Sequence, residues 1–420
     1  MFKEENDIMV KEVELTNEEK KVEEYENNKP TYPEDVDEST PLESLNLNWT
    51  EKELPERIRT KHVHRLHPYL GKYIPQLVEI FLRKYFTPGQ TVLDPFCGSG
   101  TTLVQANELK INSIGADISE FNILISKVKT SKYNLEFVKH ELTELLDRTE
   151  KLTGNYKGDP SLFADKGEHI AKAVNTNNPY LNTWFHKNAL NELLTFRELT
   201  NDYENQDLFR IILSRAARSA RLTTHFDLDF PKRPQTEPYY CYKHRRTCKP
   251  TDSAFKFIKR YGLDTLKRIE DYSKLRSNAS VKLIHGDSRL IDLPKIDGII
   301  TSPPYVGLID YHEQHKYAFE LLGLIDKRED EIGRAENGNS IKAKVDYTDA
   351  ISQVFLNSIK DLKKNGVVII VAGDRSNLYP NIGDLSGLIL EDKVVRHVNR
   401  RTGRRNTNFF ETVFIYRKPS

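Results

Sequence analysis

Two short runs in the 420-residue chain combine residue types whose order suits a chemical task. The first is Asp94-Pro95-Phe96-Cys97-Gly98-Ser99-Gly100-Thr101-Thr102, which follows the β-rich run Gln90–Asp94. Gly98 and Gly100 permit a tight turn and a close approach of a ligand to the backbone. No GKS or GKT follows, so this is not a triphosphate-binding loop, and Leu103 stands where a dinucleotide fingerprint needs its third glycine. Asp117 closes the next β-rich run, 17 residues past Gly100, where a carboxylate can accept two hydrogen bonds from a ribose diol. Asp287 closes a third such run and is placed to meet an adenine amino group. Asp94, Phe96, Gly98, Gly100, Thr101, Asp117 and Asp287 are therefore the candidate binding set for a nucleoside cofactor.

The second run is Ser302-Pro303-Pro304-Tyr305, directly after the strand-like Asp297–Ser302. Two consecutive prolines hold the backbone extended and remove two amide donors. Ser302 and the Pro303 carbonyl can then accept hydrogen bonds from an exocyclic amine, while Tyr305 offers a face on which a planar base stacks. An aryl amine is a weak nucleophile because its lone pair is conjugated. Acceptors that hold both N–H bonds favour a pyramidal nitrogen and aim that lone pair at an electrophilic methyl. Such chemistry needs no covalent nucleophile, so Cys97 is not assigned that role.

The elements that position these runs are legible as near-continuous apolar strands separated by helices, the pattern of a parallel sheet covered on both faces. The strands are Gln90–Asp94, Asn112–Asp117, Val281–Asp287, Asp297–Ser302 and Gly366–Asp374, with helices at Pro75–Tyr85 and about 348–363. Lys393–Val398 and Glu411–Tyr416 read as an antiparallel pair at the sheet edge. The alternation breaks between 131 and 280, which reads as an inserted domain with helices at Leu190–Leu199 and Asp207–Leu222 and a loop-like Pro231–Pro250.

These runs resemble the amino-group DNA methyltransferases that use S-adenosylmethionine. The likeness rests on Asp94 to Thr102 and Ser302 to Tyr305, with His67-Pro68-Tyr69-Leu70-Gly71-Lys72 and Ile309-Asp310-Tyr311 beside them. It spans residues 62–130 and 281–418 and implies a Rossmann-like class I methyltransferase: an α/β fold with a seven-stranded mixed sheet, an antiparallel last strand and a large, mostly helical insertion. By resemblance, Phe96, Gly98 and Gly100 line the methionine part of S-adenosylmethionine, Asp117 takes its ribose, and Ser302, Pro303 and Tyr305 hold a flipped target base. In this family Ser-Pro-Pro-Tyr accompanies cytosine N4 more often than adenine N6. The order of the two runs resembles that of the group with a central target-recognition region, although here the insertion precedes the Asp287 strand. Double-stranded DNA is the implied partner, with a cognate restriction endonuclease as a further one. Two alternatives stand beside this reading. A guanine-N2 tRNA methyltransferase usually carries Asp before the prolines, and a non-catalytic subunit would show a degraded turn or tetrad.

Charge supports a polyanionic partner. Residues 1–50 carry 15 acidic and 5 basic side chains, against 47 acidic and 58 basic in the rest. This division reads as an acidic, disordered arm over 1–50, a methyltransferase part over 51–130, a target-recognition insertion over 131–280 and a second methyltransferase part over 281–420. Arg215, Arg218 and Arg221 fall on one helical face, Lys243, Arg245 and Arg246 interleave with tyrosines, and Arg401 and Arg404 precede the last strand. All eight are candidate DNA contacts. Cys241, His244 and Cys248 provide only three ligands where structural zinc takes four, so no metal is assigned. His62, His64 and His67 are expected to pack or hydrogen-bond near the cofactor turn. Three cysteines exclude a disulfide framework, and no apolar run reaches the roughly 20 residues a membrane helix needs, so a cytoplasmic protein is expected.

Overall fold

The computed structural model describes residues 29–154, 175–398 and 409–420. Its strands are β1 (Thr91–Asp94), β2 (Asn112–Asp117), β3 (Tyr239–Cys241), β4 (Arg246–Cys248), β5 (Val281–His285), β6 (Ile296–Thr301), β7 (Leu362–Ala372), β8 (Ile389–His397) and β9 (Phe410–Arg417). Seven of them form one sheet in the order β5-β2-β1-β6-β7-β9-β8, and β3 and β4 make a separate hairpin. All neighbours from β5 to β7 run parallel, while β9 is antiparallel to both β7 and β8. In a parallel sheet ligands collect outside the carboxyl ends of the strands. Here those ends are Asp94, Asp117, His285 and Thr301, which brings both chemical runs to one edge.

The helices are α1 (Glu56–Arg59), α2 (Pro75–Tyr85), α3 (Thr101–Glu108), α4 (Glu120–Thr130), α5 (Leu135–Leu152), α6 (Pro179–Trp184), α7 (Lys187–Thr200), α8 (Gln206–Ala220), α9 (Phe255–Ser273), α10 (Tyr311–Leu322), α11 (Ile341–Ile359) and α12 (Tyr379–Leu385). Their boundaries follow local chemistry. Pro75 occupies the first turn of α2, where no amide donor is needed. The Ser119 hydroxyl caps α4 and the Asp310 carboxylate caps α10, which Gly323 ends in the left-handed region.

Alternate residues of the central strands feed two cores. Val92, Ile300, Val367, Ile369 and Val371 pack against α2, and Leu93, Ile299, Val368 and Ile370 pack against Ile351 and Phe355 of α11. Val36, Leu45, Leu47 and Trp49 are buried in the first of these cores, and the Trp49 indole N–H donates to the Thr31 carbonyl at 3.1 Å. This corrects the reading of residues 1–50 as one disordered arm. From residue 29 the segment is packed, because its four large apolar side chains outweigh the acidic residues between them. Residues 1–28 lie outside the described residues.

The insertion is mostly helical, as expected, but it is not a lobe with a core of its own. Leu142, Phe185, Leu193, Phe209, Ile212 and Ile258 share one apolar core with Phe121 and Leu124 of α4 and Tyr317 and Phe319 of α10. The elements differ from the sequence reading in two ways. Pro231–Pro250 contains the β3–β4 hairpin, and the sequence reading places only α2, α7, α8 and α11, so the other described helices are additional.

Candidate active site

The cofactor turn is held by hydrogen bonds converging on two carboxylates. Asp94, at the end of β1, is fully buried and accepts from the Thr102 and Thr301 hydroxyls, both at 2.6 Å, the Tyr73 hydroxyl at 3.0 Å and the Phe96 amide at 3.2 Å. Burial pushes its pKa up, opposed by these donors. Asp94 therefore does not face the ligand space. It is a positioning residue that ties β1, the turn and the end of β6 together.

Asp117, at the end of β2, accepts from the Gly98 amide at 2.9 Å through one oxygen. The other oxygen accepts from the Ser119 amide at 2.9 Å and Asn122 Nδ2 at 3.0 Å. Burial pushes its pKa up to about 6 despite these bonds. A carboxylate offers about four acceptor positions, so one is left for a ribose hydroxyl. Gly98 and Gly100 both have positive φ, at +47° and +76°. A Cβ on Gly98 would stand 3.0 Å from the Tyr69 hydroxyl, and one on Gly100 would stand 2.8 Å from Ser126 Oγ. The Ser126 hydroxyl donates to the Gly98 carbonyl at 2.9 Å, and buried Lys129 donates to the Ser99 carbonyl at 2.6 Å.

A cleft opens over this turn. Phe96, Gly98, Thr101, Asp117 and Asp287 line it from the cofactor set, and Ser302 and Pro304 line it from the tetrad. Gly100, like Asp94, acts from behind, as the residue that starts α3. Asp287 is held by Arg289, whose Nη2 lies 2.6 Å from its carboxylate. Burial alone would raise the Asp287 pKa, but these bonds keep it below the ordinary value. Its capacity to meet an adenine amine is correspondingly reduced. Tyr69, Lys72 and Tyr311 also line the cleft, with the Tyr69 and Tyr311 rings stacked at 5.5 Å. They lie in the two flanking runs that carried the family resemblance, where type and spacing alone assigned them no role. Burial pulls the Lys72 ammonium down to about 8 while it donates to the His64 carbonyl at 2.7 Å.

The tetrad leaves β6 immediately after Thr301. Tyr347 donates to the Pro304 carbonyl at 2.9 Å, which fixes the second proline. The Tyr305 hydroxyl donates to Glu411 Oε1 at 2.9 Å, and the same carboxylate binds Arg396 through Nε at 2.9 Å and Nη2 at 2.5 Å. The phenol is thereby anchored to β9 and β8, with its ring 6.1 Å from that of Phe409. Glu411, Arg396 and Tyr347 were not anticipated, since nothing in their spacing links them to the tetrad.

Several of the expected DNA contacts are corrected. Arg221 is buried, stacks at 4.5 Å on Tyr317 and donates to the Leu228 carbonyl at 2.5 Å. Arg215 pairs with Asp264 at 2.6 Å and lies over Tyr261, and Arg218 pairs with Asp229 at 2.6 Å. This helical face is turned into the molecule, where planar guanidinium groups find carboxylates and rings. Lys243, Arg245 and Arg246 are exposed, whereas Arg401 and Arg404 lie outside the described residues. His64 meets Gln105 Nε2 at 3.2 Å and His67 stacks on Phe121 edge-on, both close to the turn as expected. Cys97 is buried and its thiol is pushed far up, a packing residue. The three-ligand count at Cys241, His244 and Cys248 is also corrected. His225, 16 residues before Cys241, brings a ring nitrogen to within 4.8 Å of the other three ligand atoms.

The strand order, the glycine turn after β1 and the carboxylate ending β2 define an S-adenosylmethionine-dependent methyltransferase. The residues fit that cofactor, for the space a Cβ on Gly98 would fill lies beside an aromatic side chain, Tyr69, and the Gly98 amide binds a carboxylate with one acceptor position left. Comparison with known proteins adds the particular group. The model of a DNA methylase family (N6_N4_Mtase) matches residues 3–128. The type II methyltransferase M.MjaII of Methanocaldococcus jannaschii is 38% identical, over 86% of this chain and 81% of its own length. The type II methyltransferase M.BsoBI of Geobacillus stearothermophilus is 28% identical, over 69% of this chain and 59% of its own. Among solved structures, TrmN from Thermus thermophilus aligns with a TM-score of 0.32 at 11% identity, covering 83% of this chain and 50% of that one. The chain belongs to the family of amino-group DNA methyltransferases, enzymes that use S-adenosylmethionine. Among the described residues, no helix is long and apolar enough to cross a membrane.

Proposed function

We infer that the chain methylates the N4 amine of a cytosine turned out of double-stranded DNA at a defined sequence, as a modification enzyme that acts alone or beside a cognate restriction endonuclease. The observation that carries this reading is the placement of Ser302 and Pro304 in the same cleft as Phe96, Gly98 and Asp117, with Thr301 and the turn bound to one carboxylate. Serine in the first tetrad position favours cytosine. The bound cofactor supplies an electrophilic methyl on a sulfonium. Ser302 Oγ and the Pro303 carbonyl accept the two N–H bonds of the target amine, and Tyr305 stacks on its ring. A carbon–nitrogen bond then forms as the carbon–sulfur bond breaks, and the amine loses one proton to water. The burden on the protein is positioning and desolvation.

Residues 131–280 are the proposed recognition region, and exposed Lys243, Arg245 and Arg246 are its phosphate contacts. The test is to sequence DNA from cells expressing this chain, with detection that separates N4-methylcytosine from N6-methyladenine. One modified motif bearing N4-methylcytosine is expected. N6-methyladenine would overturn the assignment of the base, and unmodified DNA together with methylated tRNA would overturn that of the substrate.

A further inference from the structure

Between α8 and α9 the chain makes a long excursion that contributes nothing to the hydrophobic cores. No residue from 223 to 253 belongs to any of the three. Two three-residue strands form its only regular structure, and an isolated hairpin of that size is marginal in water. Yet Cys241 and Cys248 within it are buried, at 0% and 7% exposure, and neither is in a disulfide. Their ligand atoms, with those of His225 and His244, lie within 4.8 Å of one another. Tetrahedral zinc, at about 2.3 Å from sulfur and about 2.0 Å from nitrogen, requires ligand atoms gathered on that scale.

We propose that His225, Cys241, His244 and Cys248 bind a structural zinc ion that clips the β3–β4 hairpin to the segment leaving α8. The hairpin has the form of a metal knuckle. Cys241 ends β3, the His244 amide donates back to its carbonyl at 3.1 Å, and Arg245 takes a positive φ of 52° that turns the chain towards Cys248. His244 Nδ1 already lies 3.4 Å from Cys248 Sγ, and the His225 and His244 rings meet at 4.6 Å. His225 Nδ1 is 2.9 Å from the Tyr239 hydroxyl. Donation from Nδ1–H to that oxygen leaves Nε2 unprotonated, the tautomer a metal requires, and is the outer contact by which ligating histidines are usually oriented. Two thiolates and two imidazoles favour zinc over hard cations. Binding releases the two thiol protons to solvent and substitutes for the missing apolar core.

The clip has a second consequence, which rests on the DNA reading above, whereas the metal site does not. It holds Tyr240 and Tyr242, 54% and 77% exposed, together with Lys243, Arg245 and Arg246 on one projecting turn. Aromatic and basic side chains so placed suit the stacking and phosphate contacts of a nucleic-acid-binding tip.

The experiment measures metal in the whole protein, purified without chelator, by mass spectrometry, and replaces it with cobalt(II). About one zinc per chain is expected, and the cobalt form should show a thiolate charge-transfer band and intense tetrahedral absorption. H225A and C248S should each lose the metal while S-adenosylhomocysteine binding is retained, a readout of the cleft, which none of the four ligands lines, that reports a folded protein. Protein that binds S-adenosylhomocysteine yet carries no zinc and gives no cobalt–thiolate band overturns the proposal. So does full zinc content in both variants, or a Cys241–Cys248 disulfide in freshly alkylated protein. Zinc present with DNA affinity unchanged on its removal would keep the site and refute only its use as a DNA tip.

Discussion

Replacing Gly98 by alanine tests whether the turn after β1 is built around the cofactor. The backbone there has φ of +47°, a region that costs an L-residue roughly 1–2 kcal/mol. The added methyl would stand 3.0 Å from the Tyr69 hydroxyl, closer than ordinary van der Waals contact. Tyr69 cannot yield alone, because its hydroxyl accepts from Asn122 Nδ2 at 3.1 Å and that nitrogen also donates to Asp117 at 3.0 Å. Displacing the ring therefore disturbs the carboxylate assigned to the ribose, while the strained backbone carries the amide that donates to the other Asp117 oxygen. Loss of one such interaction, about 1.4 kcal/mol, weakens S-adenosylhomocysteine binding about tenfold. Gly89→Ala is the control. Its φ is +91° and a Cβ there meets nothing within 4 Å, so it shares the backbone penalty without touching the cleft. Calorimetric titration should show the Kd raised in G98A only, and thermal melts should show both variants destabilised. A G98A Kd equal to the parent's, or one matched by G89A, would refute the reasoning.

Tyr305→Phe keeps the stacking face and leaves Glu411 bound to Arg396, so kcat should fall by less than about tenfold, whereas Tyr305→Ala should cost roughly 10–100-fold by loss of base stacking. Cofactor affinity should be untouched in both, and a parallel loss would contradict the assignment. Cofactor affinity should itself fall as pH drops through about 6 if, as assigned, a ribose hydroxyl donates to ionised Asp117. The sign for stability is opposite. The native carboxyl binds its proton more tightly than the unfolded chain's, so this group's contribution to stability falls as pH rises from about 4 to 6. Asp117→Asn should flatten the pH dependence of affinity, and an unchanged slope would remove Asp117 from the ribose site. Replacing Lys243, Arg245 and Arg246 together by alanine should lower the salt slope of DNA binding by about 2–3. An identical slope would place the hairpin tip away from the phosphates.

The parallel sheet and both chemical runs were legible because each is written locally: apolar strands that end in a carboxylate, a glycine pair, a proline pair. What was missed depends on partners distant in the chain. The periodicity of Arg215, Arg218 and Arg221 placed them on one face but could not say that Asp264, Asp229 and Tyr317 fold over that face. Counting charges over residues 1–50 concealed that Val36, Leu45, Leu47 and Trp49 are enough to dock the segment from residue 29. His225 escaped notice because the loop, not the spacing, carries it to the two cysteines. Asp94 was assigned to the ligand on its position in the run, whereas burial assigns it to the scaffold.

That last residue has a wider consequence. One buried carboxylate receives a hydroxyl from the cofactor turn and another from the strand that launches the tetrad, so in the proposed reaction methyl donor and acceptor are surveyed from a single fixed point. Their separation is settled before either reactant arrives.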